Sequence, residues 1–280
     1  MRKIDSYKRL DDHYLNWYEG FISFLAVGGA PGLAKSYYYE NLLAHDEYTL
    51  FRGHTSALKI YIEVYDHPDR RIVFDDVGQL LRAPACVDLM KSLCDTRPRR
   101  TVHWHTTTPL LEGRNDEFNT SAPVLMVCNR NLLANEDVKA ILDRANAVEF
   151  CPSKAEIIRK LRSYADDQEI VDFLEVMPIR PTLRTYELAR DLKKSPRGNW
   201  RQEVMDECGV EKHIQNLVHI IQTEAPEKWL ECYHDQTKRS RRDYYNCLPL
   251  AKELAAAAME KSGALLFSPE RNVEGQVYER

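Results

Sequence analysis

The chain has 280 residues, of which 44% are apolar, 10% aromatic and 29% charged, and its 39 basic and 43 acidic residues give a formal net charge of -4. That supplies a core for one large domain or two modest ones, and it excludes a collagen-like, low-complexity or globally basic nucleic-acid coat protein. No apolar run approaches the ~20 residues that span a bilayer. The opening residues, Met1 to Tyr14, carry charges with no apolar stretch behind them, so neither a secretory leader nor a membrane partner is expected.

The predicted elements begin with a polar stretch over 1–20, read as one or two helices around Tyr7, Tyr14, Trp17 and Tyr18. Phe21 to Val27 is a short apolar run that suits a strand buried on both faces of a parallel sheet, ended by Gly28 and Gly29. A helix is expected from Lys35 to Ala44. Tyr48–Phe51 reads as a second strand, broken by Gly53. Thr55 or Ser56 caps a helix through Tyr65. Further strands are expected at Arg71–Asp75, Thr101–His105, Pro123–Cys128 and Ala147–Phe150, with helices over 80–94 and 137–145 between them. After Pro152 only helical stretches appear, near 153–165, 167–175, 182–194, 200–207, 211–223, 225–236 and 249–261, and an irregular arm follows from Gly263. Strands alternating with helices point to an α/β fold with a mostly parallel sheet, taken as five-stranded. The expected organisation is an α/β domain over 1–152, a helical lid over 153–195 and a helical extension over 196–280.

Seven cysteines, Cys86, Cys94, Cys128, Cys151, Cys208, Cys232 and Cys247, form an odd set with no C-x-x-C pair. They suit scattered thiols in a reducing, cytoplasmic setting better than a disulfide framework or a zinc site. His103 and His105 share one side of a strand but lack a third ligand at fixed spacing.

The most informative stretch is Gly29-Ala30-Pro31-Gly32-Leu33-Ala34-Lys35-Ser36. It matches the phosphate-loop pattern G-x-x-x-x-G-K-[ST] at Gly29, Lys35 and Ser36 and departs from it at Ala34. Its setting, between an apolar strand and a helix, is what the chemistry requires. Small residues let backbone N–H groups curl around phosphates, and the helix N-terminus favours an anion. Lys35 would reach the β- and γ-phosphates of ATP, and Ser36 would hold Mg²⁺. Ala34 adds a Cβ to a crowded loop, so weaker affinity is one expectation. Arg71-Ile-Val-Phe-Asp75-Asp76 is a strand ending in acids some 40 residues downstream. Asp75 would hold Mg²⁺ and Asp76 would polarise the attacking water, although Asp is one methylene shorter than the more usual Glu.

With these motifs the chain resembles the AAA+ superfamily of P-loop ATPases over roughly residues 20–190, in the order of its elements. The string PGLAKS is similar to the loop of MoxR-type AAA+ proteins, which also carry Ala at that point. The resemblance implies ATP hydrolysis with Mg²⁺ and three further residues. Asn129 would be the sensor-1 polar group, Arg144 an arginine finger acting on a neighbouring subunit, and Arg184 a sensor-2 arginine of the lid. It therefore implies a homo-oligomer. Plain alternatives are a turn former for Asn129, an ion pair with Asp143 or Glu149 for Arg144, and a surface helix position for Arg184.

Two basic clusters stand out, Arg97, Arg99 and Arg100, and Lys238, Arg239, Arg241 and Arg242. The second joins two helical stretches with the spacing of a helix-turn-helix, which makes DNA a candidate partner. A solvated basic helix start is the alternative. The leading expectation is a DNA-associated ATPase of the loader or remodeller kind that phages, plasmids or transposons use. The alternatives are a MoxR-like remodeller with a protein client and a nucleotide-gated switch with little turnover.

Overall fold

The computed structural model describes residues 1–76, 81, 83–105, 108–129, 136–195 and 199–262. The arm expected from Gly263 lies outside the described residues. The chain divides into two compact units, Met1–Glu156 and Ile157–Arg280.

Among the described residues the first unit carries eight strands: β1 (Arg2–Ile4), β2 (Phe24–Gly29), β3 (Tyr48–Arg52), β4 (Arg71–Asp75), β5 (Arg100–His103), β6 (Glu117–Thr120), β7 (Val124–Cys128) and β8 (Asn146–Phe150). Six of them form one sheet in the order β1-β8-β2-β7-β4-β3, and every neighbouring pair is parallel. Parallel strands need crossovers, and helices supply them. These are α2 (Lys35–Leu42), α3 (Ala57–Asp66), α4 (Pro84–Leu93) and α5 (Glu136–Leu142), with α1 (Tyr7–Tyr18) leading from β1 to β2. The two central strands are apolar runs because both of their faces are covered. Every residue of β2 and of β7 is buried. Alternate side chains Phe24, Ala26, Ile72, Phe74, Val124 and Met126 join Ile60, Tyr61, Val64 and Met90 of α3 and α4 in one apolar cluster. Leu25, Val73 and Leu125 point to the opposite face and are equally buried.

Three sequence expectations do not hold. The sheet has six strands, not five. Its edge strand β1 lies within the stretch read as helical, because three residues with only Ile4 buried carry no periodicity to read. The segment expected as a strand at 101–105 is outside that sheet. It pairs antiparallel with β6 as a separate two-stranded ribbon. The reason is visible in its alternation, in which Val102 is buried and His103 exposed. That is the pattern of a ribbon with one wet face, not of a doubly covered strand.

The second unit is helical among the described residues: α6 (Lys154–Tyr164), within which the division falls, then α7 (Gln168–Val176), α8 (Leu183–Lys194), α9 (Trp200–Glu207), α10 (Lys212–Thr223), α11 (Trp229–Thr237) and α12 (Arg241–Ser262). Its core includes Ile170, Phe173, Val204, Leu217, Ile220 and Leu254. Asp167, Thr182 and Asn199 cap α7, α8 and α9 through their side chains. The helix expected from residue 249 begins at Arg241 and runs through Pro249. Proline is favoured at a helix start, which is why the sequence points there. Here Tyr244, Ala251 and Leu254 are all buried along the same helix, and that packing offsets the lost backbone bond. No helix among the described residues is long and apolar enough to cross a membrane.

Candidate functional site

In a parallel sheet all strands end on one edge, and ligands of open α/β sheets bind there. The strand β7 lies between β2 and β4, with Gly28 opposite Cys128 and Asp75 opposite Val127. The loop after Gly29, the residue Asn129 and the pair Asp75-Asp76 therefore emerge side by side from three adjacent strands. The Asp76 N–H donates to the Val127 carbonyl at 3.2 Å. The Asn129 amide donates to Asp76 Oδ1 at 3.3 Å. Asn129 and Asp76 lie 53 positions apart in the chain.

The loop itself is built by backbone geometry. Gly29 has φ 151°, and a Cβ there would lie 2.6 Å from the Phe150 carbonyl oxygen on β8. Gly32 has φ 76°, and Ala34 is left-handed at φ 60°. An L-residue in that region costs about 1–2 kcal/mol, which explains why glycine is the usual residue at this position of the pattern. Ala30, Pro31, Gly32 and Leu33 make the turn between them, with Leu33 buried. Helix α2 then starts without a side-chain cap. The dipole at such a helix start favours an anion. Lys35 is only 6% exposed, and its ammonium donates to the Gly29 and Ala30 carbonyls at 2.8 and 2.7 Å. Tyr14 of α1 donates to the Lys35 carbonyl at 2.9 Å and fixes the helix start from behind.

At the acidic end, Asp75 is 5% exposed. Its Oδ1 accepts from Ser36 Oγ at 3.2 Å. Its Oδ2 accepts from Tyr39 at 2.8 Å and from Arg52 Nε and Nη2 at 3.2 and 2.8 Å. The same Arg52 Nη2 reaches the Tyr39 hydroxyl and Glu40 Oε1, each at 2.7 Å. Burial, and then the bond to Asp75, push the Tyr39 phenol well above its ordinary range. The bonds to Glu40 and Asp75 raise Arg52. Sequence reasoning missed Tyr39, Glu40 and Arg52. The pairing of β3 with β4 sets Arg52 opposite Asp75, and the placement of α2 brings Tyr39 and Glu40 to them.

A hydroxyl and a carboxylate oxygen converging at 3.2 Å are hard donors that fit Mg²⁺, an ion that usually takes one or two protein oxygens and completes its shell with water and phosphate. Among the described residues no group of three or more His, Cys, Asp or Glu could hold a metal by itself. His103 and His105 stack on each other, with His103 Nδ1 at 3.1 Å from Glu117.

The remaining candidates fall elsewhere. Arg144 is exposed at the end of α5 and donates to the Ala140 carbonyl. It precedes β8, so it lies at the opposite edge of the sheet from the loop, about one five-residue strand, or ~17 Å, away. Arg184 belongs to the second unit, exposed near the start of α8. In the same unit, α11 and α12 are joined by the three residues Lys238, Arg239 and Ser240, with Lys238 left-handed at φ 56°. Lys238, Arg239, Arg241 and Arg242 are all exposed. Arg239 lies 3.5 Å from Glu211, and the Arg241 guanidinium lies over the Tyr245 ring. In the other basic cluster Arg97 and Arg99 are exposed but Arg100 is not. Arg100 is 1% exposed and donates to the Ala122 carbonyl, and Arg97 pairs with Asp95.

Comparison with protein-family models and with curated proteins finds no match for this chain.

The loop geometry makes a paired prediction. Gly53 is left-handed at φ 71°, and a methyl group added there would meet nothing within 4 Å. Gly53→Ala is therefore expected to lower stability by about 1–2 kcal/mol from backbone strain alone. Gly29→Ala adds the collision with the Phe150 carbonyl and is expected to lose clearly more in chemical denaturation. Equal losses would contradict the close approach of β8 to the loop.

Proposed function

We propose that the chain is a Mg²⁺-dependent ATPase of AAA+ type, cleaving ATP with water to ADP and phosphate. The observation that carries the reading is the convergence on one sheet edge of Lys35 and Ser36, Asp75, and the bonded pair Asp76 and Asn129. Lys35 neutralises the phosphates from within the loop, and the AAA+ resemblance would give Arg184 the same task. Ser36 and Asp75 hold Mg²⁺, which supplies charge neutralisation for the triphosphate. Asp76 accepts a proton from the attacking water, and Asn129 holds that carboxylate in place. Arg144 stands at the far edge from its own loop, which favours action on a neighbour's nucleotide and hence a homo-oligomer. The choice of ATP and the role of Arg184 rest on the AAA+ resemblance, and the cytoplasmic location rests on the cysteine pattern. A second reading, a nucleotide-gated switch, draws support from Asp76, whose short side chain sits on a left-handed backbone at φ 52°.

The test is phosphate release from ATP. Lys35→Ala and Asp76→Asn are each expected to reduce turnover about 10²-fold or more. Arg144→Ala is also expected to be inactive alone. Mixed with Lys35→Ala it is expected to regain activity, because each supplies what the other lacks. No recovery on mixing would contradict action in trans. ATP bound tightly by the unmodified protein without turnover would establish the switch.

We further propose DNA as the partner of the second unit, as expected of a loader or remodeller of the phage, plasmid or transposon kind. The support is the helix-turn-helix connection of α11 and α12 with its exposed cations. Binding to a duplex, followed by fluorescence anisotropy across salt concentrations, is expected to weaken when Arg239, Arg241 and Arg242 are replaced by Ala, with the slope of log K against log salt reduced by about 2–3. Absence of binding at low salt would favour a protein client of the MoxR-like kind.

A further inference from the structure

The two oxygens of Asp75 are treated differently. Among the described residues, Oδ2 takes three donors, one from Tyr39 and two from Arg52, whereas Oδ1 takes only the Ser36 hydroxyl. Arg52 meets Oδ2 through Nε and Nη2 together, a planar fork that lysine cannot reproduce. The fork is itself anchored. Its Nη2 also donates to the Tyr39 hydroxyl and to Glu40, and β-sheet register places Arg52 directly opposite Asp75.

We propose that Arg52, with Tyr39, is a positioning residue for Asp75, gripping Oδ2 so that Oδ1 faces Ser36 as the edge offered to Mg²⁺. The inference rests on the Mg²⁺–ATP reading and adds to it the residues that aim the metal's carboxylate. A guanidinium beside a cation site also repels the cation, so two effects compete. Arg52 is 48% exposed at its side chain and shares its charge with Glu40, so solvent screens the repulsion. The carboxylate it orients is buried, where the three bonds to Oδ2 decide the rotamer. Orientation therefore outweighs repulsion, as for hydrogen-bond partners behind metal ligands generally.

The test uses the full chain and a fluorescent ATP analogue, with MgCl₂ titrated at fixed nucleotide and the metal-free affinity measured in EDTA. For Arg52→Ala the Mg²⁺ concentration giving half the tightening is expected to rise about tenfold, with the affinity in EDTA within about twofold of the unmodified protein. Arg52→Lys is expected to recover only part of the loss. Tyr39→Phe, which keeps the ion pair and serves if Arg52→Ala does not fold, is expected to shift the Mg²⁺ requirement in the same direction by a smaller factor. An unchanged Mg²⁺ requirement in a folded Arg52→Ala protein would overturn the proposal. A lower requirement would overturn it too, since Arg52 would then be a competitor of the metal. An unmodified protein that binds no nucleotide, or binds it without regard to Mg²⁺, would remove the underlying reading and this proposal with it, and that result is seen before any variant is made.

Discussion

A buried carboxylate is the constraint around which the first unit is arranged. Asp75 is nearly excluded from solvent, and an unpaired charge there would cost several kcal/mol. It is held by donors from two different elements, Ser36 and Tyr39 on α2 and Arg52 on β3. Because α2 begins at Lys35, the bonds that satisfy Asp75 also fix the helix that carries the loop lysine. The phosphate-binding pattern and the acidic strand end are thus one connected structure.

Sheet order provides the second condition. With β7 between β2 and β4, the ends of three strands present a glycine-rich loop, an amide and two acids in a row. The same parallel arrangement puts Arg144 at the opposite edge, before β8. A single topological fact therefore separates Arg144 from the residues gathered at the loop. Backbone strain is concentrated on the carboxyl edge of the sheet as well. Ala34 and Asp76 are two of the three non-glycine residues with positive φ among those described, and such strain tends to collect where a site requires a particular direction of approach.

What could be read from the sequence was local. Gly29 to Ser36 and the Asp75-Asp76 pair are contiguous signals, each following a strand whose apolar run is itself conspicuous. Asn129 could be placed because it ends another such run. Arg52 and Tyr39 could not, because nothing near them in the chain refers to Asp75. Their role exists only through the pairing of β3 with β4 and the position of α2. The errors have the same origin. The ribbon strand β5 has the β-branched residues Thr101 and Val102 of a sheet strand, and its antiparallel pairing with β6 shows that it belongs elsewhere. Arg100 reads as part of a basic surface cluster, yet its side chain is buried and bonded to a carbonyl. In the second unit, Pro249 looks like a helix start until the packing of Tyr244 and Leu254 shows one helix across it.

The most direct test of the central claim is an experimental structure of the protein with Mg²⁺ and a non-hydrolysable ATP analogue. The expected result has the β- and γ-phosphates enclosed by Gly29 to Ser36, the metal between Ser36 Oγ and Asp75 Oδ1, and Arg52 still on Oδ2. Nucleotide density away from the carboxyl edge of β2, or a metal that does not touch Asp75, would contradict it.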